Sequence, residues 1–259
     1  MCIPKTIHYC WFGKNPKPEL AEKCIESWRR LCPDYQIIEW NEDNYDLNAA
    51  PLYVRQAYEA KKWAFVTDYV RLQVVYDNGG IYMDTDVELK KSLDDLLDNE
   101  AYFGFESGKL INTGLGFGAK RETPILKEIM EVYDGIPFLL EDGSYDKTPC
   151  PRRNTEVFLK HGLKQDDSQQ ILPGGILILP SVYLSPIDAE MKIRRYSRKT
   201  ISIHWFDSSW MTPEEKNQYA KNARRERIDR PVYYLKLKLK QLLGNRVYDQ
   251  IKKMVRRGD

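Results

Sequence analysis

The chain has 259 residues, 42% apolar and 30% charged, with a formal net charge of +2. That suits one large domain with an appendage, and no run approaches the roughly 18 apolar residues of a membrane span. Its five cysteines (Cys2, Cys10, Cys24, Cys32 and Cys150) are an odd number without paired ligand spacing. This argues against zinc fingers and disulfide scaffolds and predicts reduced thiols in a cytosolic protein.

The N-terminus enters a strand-like segment at once, so no signal peptide is expected. Residues 5–12 read as a first buried strand, stopped by Gly13 and a proline-containing loop. Residues 20–31 read as a helix with Ile25, Trp28 and Leu31 on one face, and residues 35–40 as a second strand. This β-α-β opening predicts an α/β fold with a parallel sheet. Phe65, Tyr69, Leu72, Val75 and Tyr76 have helical spacing and predict a long helix over 61–76. Asn78-Gly79-Gly80 stops that helix, and a short strand through Tyr82-Met83 ends in Asp84-Thr85-Asp86. Strands are expected at 102–105 and 113–118, joined by the loop 106–112, and later at 176–179 and 200–204. Helices are expected at 124–133 and 156–163. From Pro213 onward the chain reads as helical and basic. Residues 221–259 hold thirteen Lys or Arg against four Asp or Glu, so the remainder is net acidic and the tail has a different partner.

Asp84 and Asp86 carry the chemistry. Two carboxylates at i and i+2 at the end of a buried strand repel each other and lose solvation, so a partner is expected. A divalent cation with oxygen ligands fills that role, and a bound diphosphate completes its coordination. Asp68 and Arg71 share a face of the long helix; they suit sugar hydroxyls and a phosphate, although the spacing by itself favours an ordinary surface ion pair. Asn78-Gly79-Gly80 fits either close approach to a phosphate or a plain helix cap. Trp11 fits either a base-stacking platform or the core. His8 reads as a hydrogen-bonded core histidine. His204 reads as a backbone-bonded histidine or as the ligand that completes a manganese site begun by carboxylates.

Together, Trp63-Ala64-Phe65-Val66-Thr67-Asp68-Tyr69-Val70-Arg71, Leu72, Tyr76, Gly79-Gly80, Ile81-Tyr82 and Asp84-Thr85-Asp86 resemble the signature of glycosyltransferase family 32, the DXD-containing sugar transferases. Residues 3–13 resemble that family's first strand, and 204–210 its closing motif. The resemblance covers roughly residues 1–212. It implies a GT-A-type nucleotide-diphospho-sugar transferase fold over 1–212, with 213–259 as a basic helical extension. It also implies a nucleotide-sugar donor, a UDP-sugar by preference with GDP-mannose left open, with manganese or magnesium, and retention of anomeric configuration.

By position, the resemblance makes Asp84 and Asp86 the metal and diphosphate site, with His204 a third ligand. Asp68 and Arg71 become donor-sugar and phosphate contacts, and Trp11 the base-stacking residue. Ser209 and Trp210 close over the diphosphate. Asn112 and Thr113 occupy the place of sugar or acceptor contacts. The sequence departs from the family's Gly-Pro-Thr pattern at residues 150–155, where Pro151 and Thr155 stand in. The implied function is transfer of a hexose to a glycan or lipid-linked acceptor in bacterial surface-polysaccharide synthesis, in the cytoplasm. The tail is expected on an anionic membrane surface or as a solvated helical cap; nucleic acid is not expected. Two alternatives stay open: a haloacid-dehalogenase-like phosphatase, with Asp84 as nucleophile, and a non-catalytic nucleotide-sugar-binding module.

Overall fold

The structure is a computed structural model that describes residues 2–106, 109–188 and 194–207. Residues 209, 210 and the basic tail predicted from 213 onward lie outside the described residues.

The opening follows the sequence closely: β1 (Thr6–Cys10), α1 (Glu19–Leu31) and β2 (Gln36–Trp40). Glu19 and Glu22 lie in the first turn of α1, and Arg29 and Arg30 in its last, each complementing the helix dipole. A helix that the sequence did not suggest, α2 (Leu52–Glu59), begins just after Pro51, whose fixed φ suits entry into a helix. The long helix, α3, spans Trp63–Asn78, and both polar residues singled out on it, Asp68 and Arg71, are buried. It ends at Gly79 (φ +68°), whose N–H donates to Val75 O at 2.7 Å. Gly80 is required for a different reason: a Cβ there would collide with Thr6 O and crowd His8 Nε2. Asn78-Gly79-Gly80 is therefore a helix stop pressed against the first strand, and its neighbours are protein groups.

β3 (Gly80–Tyr82) delivers the acidic motif, and β4 (Val87–Leu89) follows it. Next come β5 (Ala101–Gly104), β6 (Phe117–Ala119), α4 (Pro124–Glu131) and α5 (Cys150–Lys160). The chain continues with β7 (Gln170–Leu172), β8 (Ile176–Leu179), α6 (Ser181–Leu184) and β9 (Ser202–His204). The strand predicted over 113–118 is instead a 3-10 turn, Thr113–Leu115, followed by β6. Gly116 has φ +110°, which breaks an extended run there. Helix α5 starts six residues before its predicted beginning, with Pro151 in the first turn, where no backbone donor is needed.

Seven strands form one sheet in the order β2-β1-β3-β6-β5-β8-β7. β1 pairs in parallel with β2 and β3, and β5 in parallel with β8, while β6 and β7 run against their neighbours. The sheet is thus mixed, where the β-α-β opening predicted a parallel one, and the α/β class holds. Successive residues face opposite cores. Ile7, Ile81, Tyr102 and Leu177 pack with Trp28 of α1, whereas Tyr82, Phe103 and Ile178 pack with Val66, Val70 and Phe158. The carboxyl ends of β1, β2, β3, β5 and β8 share one edge, the edge at which open α/β sheets bind ligands. A second, two-stranded sheet pairs β4 with β9 and places Val87 opposite His204. Helix α1 anchors β4: Trp28 Nε1 donates to Val87 O at 2.7 Å, and Leu89 N donates to Ser27 Oγ at 2.9 Å.

Candidate active site

Asp84 follows β3 directly and points back toward α3. Tyr82 OH donates to Asp84 Oδ1 at 2.9 Å, and Arg71 Nη2 lies 3.3 Å from the same oxygen. Arg71 also meets Asp68 Oδ1 at 3.2 Å. Its guanidinium is fixed by Thr67, donating from Nε to the backbone oxygen at 2.8 Å and from Nη2 to Oγ1 at 3.0 Å. Cys150 Sγ lies 3.9 Å from Nη1. The Asp68–Arg71 pair is only 8% and 4% exposed, so the reading as a surface ion pair does not hold. Burial raises the carboxyl pKa of both Asp68 and Asp84, while the Arg71 charge opposes that rise.

Asp86 has a different environment. Its backbone oxygen accepts from Trp205 N at 3.0 Å, and its Oδ2 accepts from Asp207 N at 2.9 Å. His204 Nε2 stands 3.0 Å from Asp86 Oδ1. Burial pushes the Asp86 carboxyl up, but the His204 charge and these hydrogen bonds more than reverse it, leaving it below the usual carboxylate range. Burial lowers His204 in turn, and Asp86 more than offsets this, so the imidazole titrates above its ordinary value. Two neighbouring carboxyls are thus pushed in opposite directions, the pattern of groups with different tasks.

Ligand atoms of Asp84, Asp86 and His204 all lie within 4.8 Å of one another. His204 Nδ1 is buried and has no hydrogen-bond partner among the described residues. Three carboxylates surround one guanidinium and one imidazole, so the cluster keeps a negative excess. An orphaned imidazole nitrogen beside two carboxylates in such a site fits a divalent transition metal such as manganese.

The other predicted residues fall around this cluster in different ways. Asn112 and Thr113 reach it through the backbone. Asn112 Oδ1 accepts from Gly114 N at 2.7 Å, and Gly114 O accepts from Asp84 N at 3.2 Å. Thr113 is fully buried, and its Oγ1 accepts from Asn154 Nδ2 at 3.1 Å, which makes it a brace. Trp11 is half-buried just past β1; its Nε1 donates to Asn15 O at 2.6 Å, and Lys17 Nζ lies over its ring. It shares the carboxyl edge but stands outside the Asp84–Asp86–His204 cluster. Ser209 and Trp210 lie outside the described residues. His8 is the core histidine expected: Nε2 pairs with Gly79 O at 2.9 Å, and Trp40 Nε1 donates to Nδ1 at 3.0 Å.

Several residues at the site were missed from the sequence. Gly114 is one, since a Cβ there would collide with Asp84 Oδ2 and lie 3.1 Å from Arg71 Nη1. Glu106, just past β5, accepts from Asn112 Nδ2 at 3.1 Å, and its charge reaches His204. Thr155, by contrast, was named from the sequence together with Pro151; its Oγ1 accepts from Ile111 N at 2.8 Å and donates to Pro151 O at 2.6 Å, tying α5 to the segment before Asn112. The only sequence signals were the glycine after Asn112-Thr113 and the Pro151-to-Thr155 spacing.

Residues 18–103, which carry Asp68, Arg71, Asp84 and Asp86, match the family described as the glycosyltransferase sugar-binding region containing a DXD motif. This bears out the resemblance to the family 32 glycosyltransferases, and the mixed sheet flanked by helices bears out the α/β class it implied. Inositol phosphoceramide mannosyltransferase 1 of Schizosaccharomyces pombe (strain 972 / ATCC 24843) is 32% identical over 111 residues, 39% of this chain and 33% of that protein. Inositol phosphoceramide mannosyltransferase 3 of the same organism is 30% identical over 145 residues, 54% of this chain and 36% of that protein. The chain therefore spans about a third of the length of these curated relatives. Among solved structures, PaToxG Glycosyltransferase is similar at a TM-score of 0.48 and 18% identity, over 61% of this chain and 69% of that one.

Proposed function

We propose that this chain is a metal-dependent, retaining glycosyltransferase that moves a hexose from a nucleotide-diphosphate sugar to a glycan or lipid-linked acceptor. The observation that carries the reading is the convergence of Asp84, Asp86 and His204 at the carboxyl edge of the sheet, with an imidazole nitrogen that is buried and has no partner among the described residues. The chemistry is a departure of diphosphate from the anomeric carbon, which leaves negative charge on the phosphate and positive character on the sugar. Asp84, Asp86 and His204 would hold a divalent cation, which would supply Lewis-acid neutralisation of that leaving group. Arg71 adds a positive charge already fixed by Thr67, so little reorganisation is needed as charge develops. Asp68, beside it, accepts hydrogen bonds from donor-sugar hydroxyls.

Retention through a covalent intermediate needs a carboxylate free to attack. Asp68 and Asp84 are engaged by Arg71, and Asp86 by His204 and Asp207 N. The reading therefore favours same-face substitution, with the departing phosphate taking the acceptor proton. We further propose that it works in bacterial surface-polysaccharide synthesis, as the family resemblance implies, and that the basic residues 221–259 hold it at the anionic cytoplasmic face of the membrane.

The test is release of nucleoside diphosphate from a panel of nucleotide-sugars with and without manganese. Asp86→Ala is expected to reduce that release on the order of 10²–10³-fold with circular dichroism unchanged. An unaltered rate in Asp86→Ala, or release independent of added metal, would refute the proposal. Trapping a sugar–enzyme adduct would overturn the same-face route alone.

A further inference from the structure

Glu42 lies two residues beyond β2, and Gly13 three beyond β1, at the edge that holds Asp84. Gly13 N donates to Glu42 Oε1 at 2.7 Å, and Tyr58 OH donates to the same oxygen at 3.1 Å. The second carboxylate oxygen, Oε2, is buried and has no partner among the described residues. Leaving a buried charged acceptor unsatisfied is costly, so a donor belongs there. Glu42 also lines a cavity of about 360 Å³ with Gly13, Asn15, Tyr58 and Trp63. The Tyr58 and Trp63 rings meet edge-on at 5.2 Å and give that cavity an aromatic wall. Gly13 has φ +91°, and any side chain there would run into Trp63.

The position matters as much as the chemistry. β2, β1 and β3 are successive neighbours, so the ends of β2 and β3 stand two strand spacings apart, about 10 Å. A nucleoside diphosphate spans a comparable distance from its phosphates to its base. We infer that this cavity takes the nucleobase of the donor and that Glu42 selects guanine. This rests on the nucleotide-sugar reading above and departs from the uridine preference carried by the family resemblance.

A carboxylate offers acceptors only. Guanine presents N1–H and an N2 amino hydrogen side by side, two donors for one carboxylate edge. Uracil presents a single N3–H between two carbonyl oxygens, which a carboxylate repels. Adenine and cytosine place their amino group beside a ring nitrogen that accepts. A site built around a buried polar group discriminates strongly against ligands that leave it unpaired.

Calorimetry on the full chain with manganese tests this, using GDP, UDP and inosine diphosphate, which lacks the N2 amino group. GDP is expected to bind at least about tenfold tighter than either of the others. Glu42→Gln, which keeps an acceptor for Gly13 N, is expected to shrink the preference for GDP over UDP. UDP binding as tightly as GDP overturns the base assignment and leaves the donor reading standing. Equal affinity for GDP and inosine diphosphate also overturns it, and needs no variant. An unchanged GDP preference in Glu42→Gln removes Glu42 from the role. Failure of all three diphosphates to bind with manganese sinks the donor reading and this inference with it.

Discussion

Arg71 bridges two carboxylates that come from separate elements, standing 3.2 Å from Asp68 on its own helix and 3.3 Å from Asp84 beyond β3. Removing the guanidinium leaves a buried Asp68 and a half-buried Asp84 without their counter-charge. Arg71→Met is expected to destabilise the chain by about 3–5 kcal/mol, read from urea denaturation. Arg71→Lys keeps the charge but has no planar fork to reach Thr67 and two carboxylates together, so it is expected to lose donor turnover even where it folds. A denaturation midpoint for Arg71→Met equal to that of the parent chain would refute the bridge.

Gly114 is confined by space. A Cβ there meets Asp84 Oδ2 and Arg71 Nη1, and Asp84 must move to admit it. Gly114→Ala is expected to cost about 1–3 kcal/mol of stability and to weaken manganese binding measured by calorimetry. Unchanged metal affinity would show that Asp84 is not held by this turn.

His8 predicts a pH dependence away from the metal cluster. Burial holds its imidazole below the ordinary value, with the Gly79 hydrogen bond only partly opposing. Trp40 donates to Nδ1, so Nδ1 is the acceptor and Nε2–H the donor in the neutral ring. The unfolded chain therefore binds the proton more readily than the folded one. Stability from this group is complete above about pH 6.5 and is lost as pH falls from there to the folded-state pKa, by at most about 1.4 kcal/mol per pH unit. His8→Gln is expected to flatten that part of the stability–pH curve. An identical curve for parent and variant would contradict the assignment.

The cysteines give a simple count. Cys2 is exposed, and the other four are free and buried. Burial pushes Cys10 and Cys24 up to about 12, so they carry almost no thiolate at neutral pH. A thiol reagent at pH 8 is expected to label one cysteine in the folded chain and five in denaturant. Rapid labelling of two or more without denaturant would show that the core opens.

The sequence made α3 and β3 legible because their apolar spacing and the Asn78-Gly79-Gly80 stop are local signals. It pointed to Asp84 and Asp86 for the same reason, since two carboxylates at the end of an apolar run are costly wherever the rest of the chain lies. The burial of Asp68 and Arg71 was not legible, because a spacing of three on a helix describes an exposed pair equally well. The orientation of β6 was hidden too. It depends on pairing with β3 and β5, and Gly116 disguised the turn before it as a strand. His204 reached the site only through β4, a strand of three residues too short to stand out in sequence. Glu42 gave no sign at all, since an acidic residue after Trp40-Asn41 looks like solvated loop.

The β4–β9 pairing also sets a schedule. Asp207 N meets the Asp86 carboxylate across 121 residues of chain. On a ribosome adding 5–20 residues per second, that stretch takes roughly 6–24 s to emerge. Throughout that interval the acidic pair exists without its imidazole partner, while the sheet around β1 to β3 is already able to form. Nascent fragments are thus born without the His204 side of the acidic cluster, which is completed only when nearly all of residues 1–207 have been made.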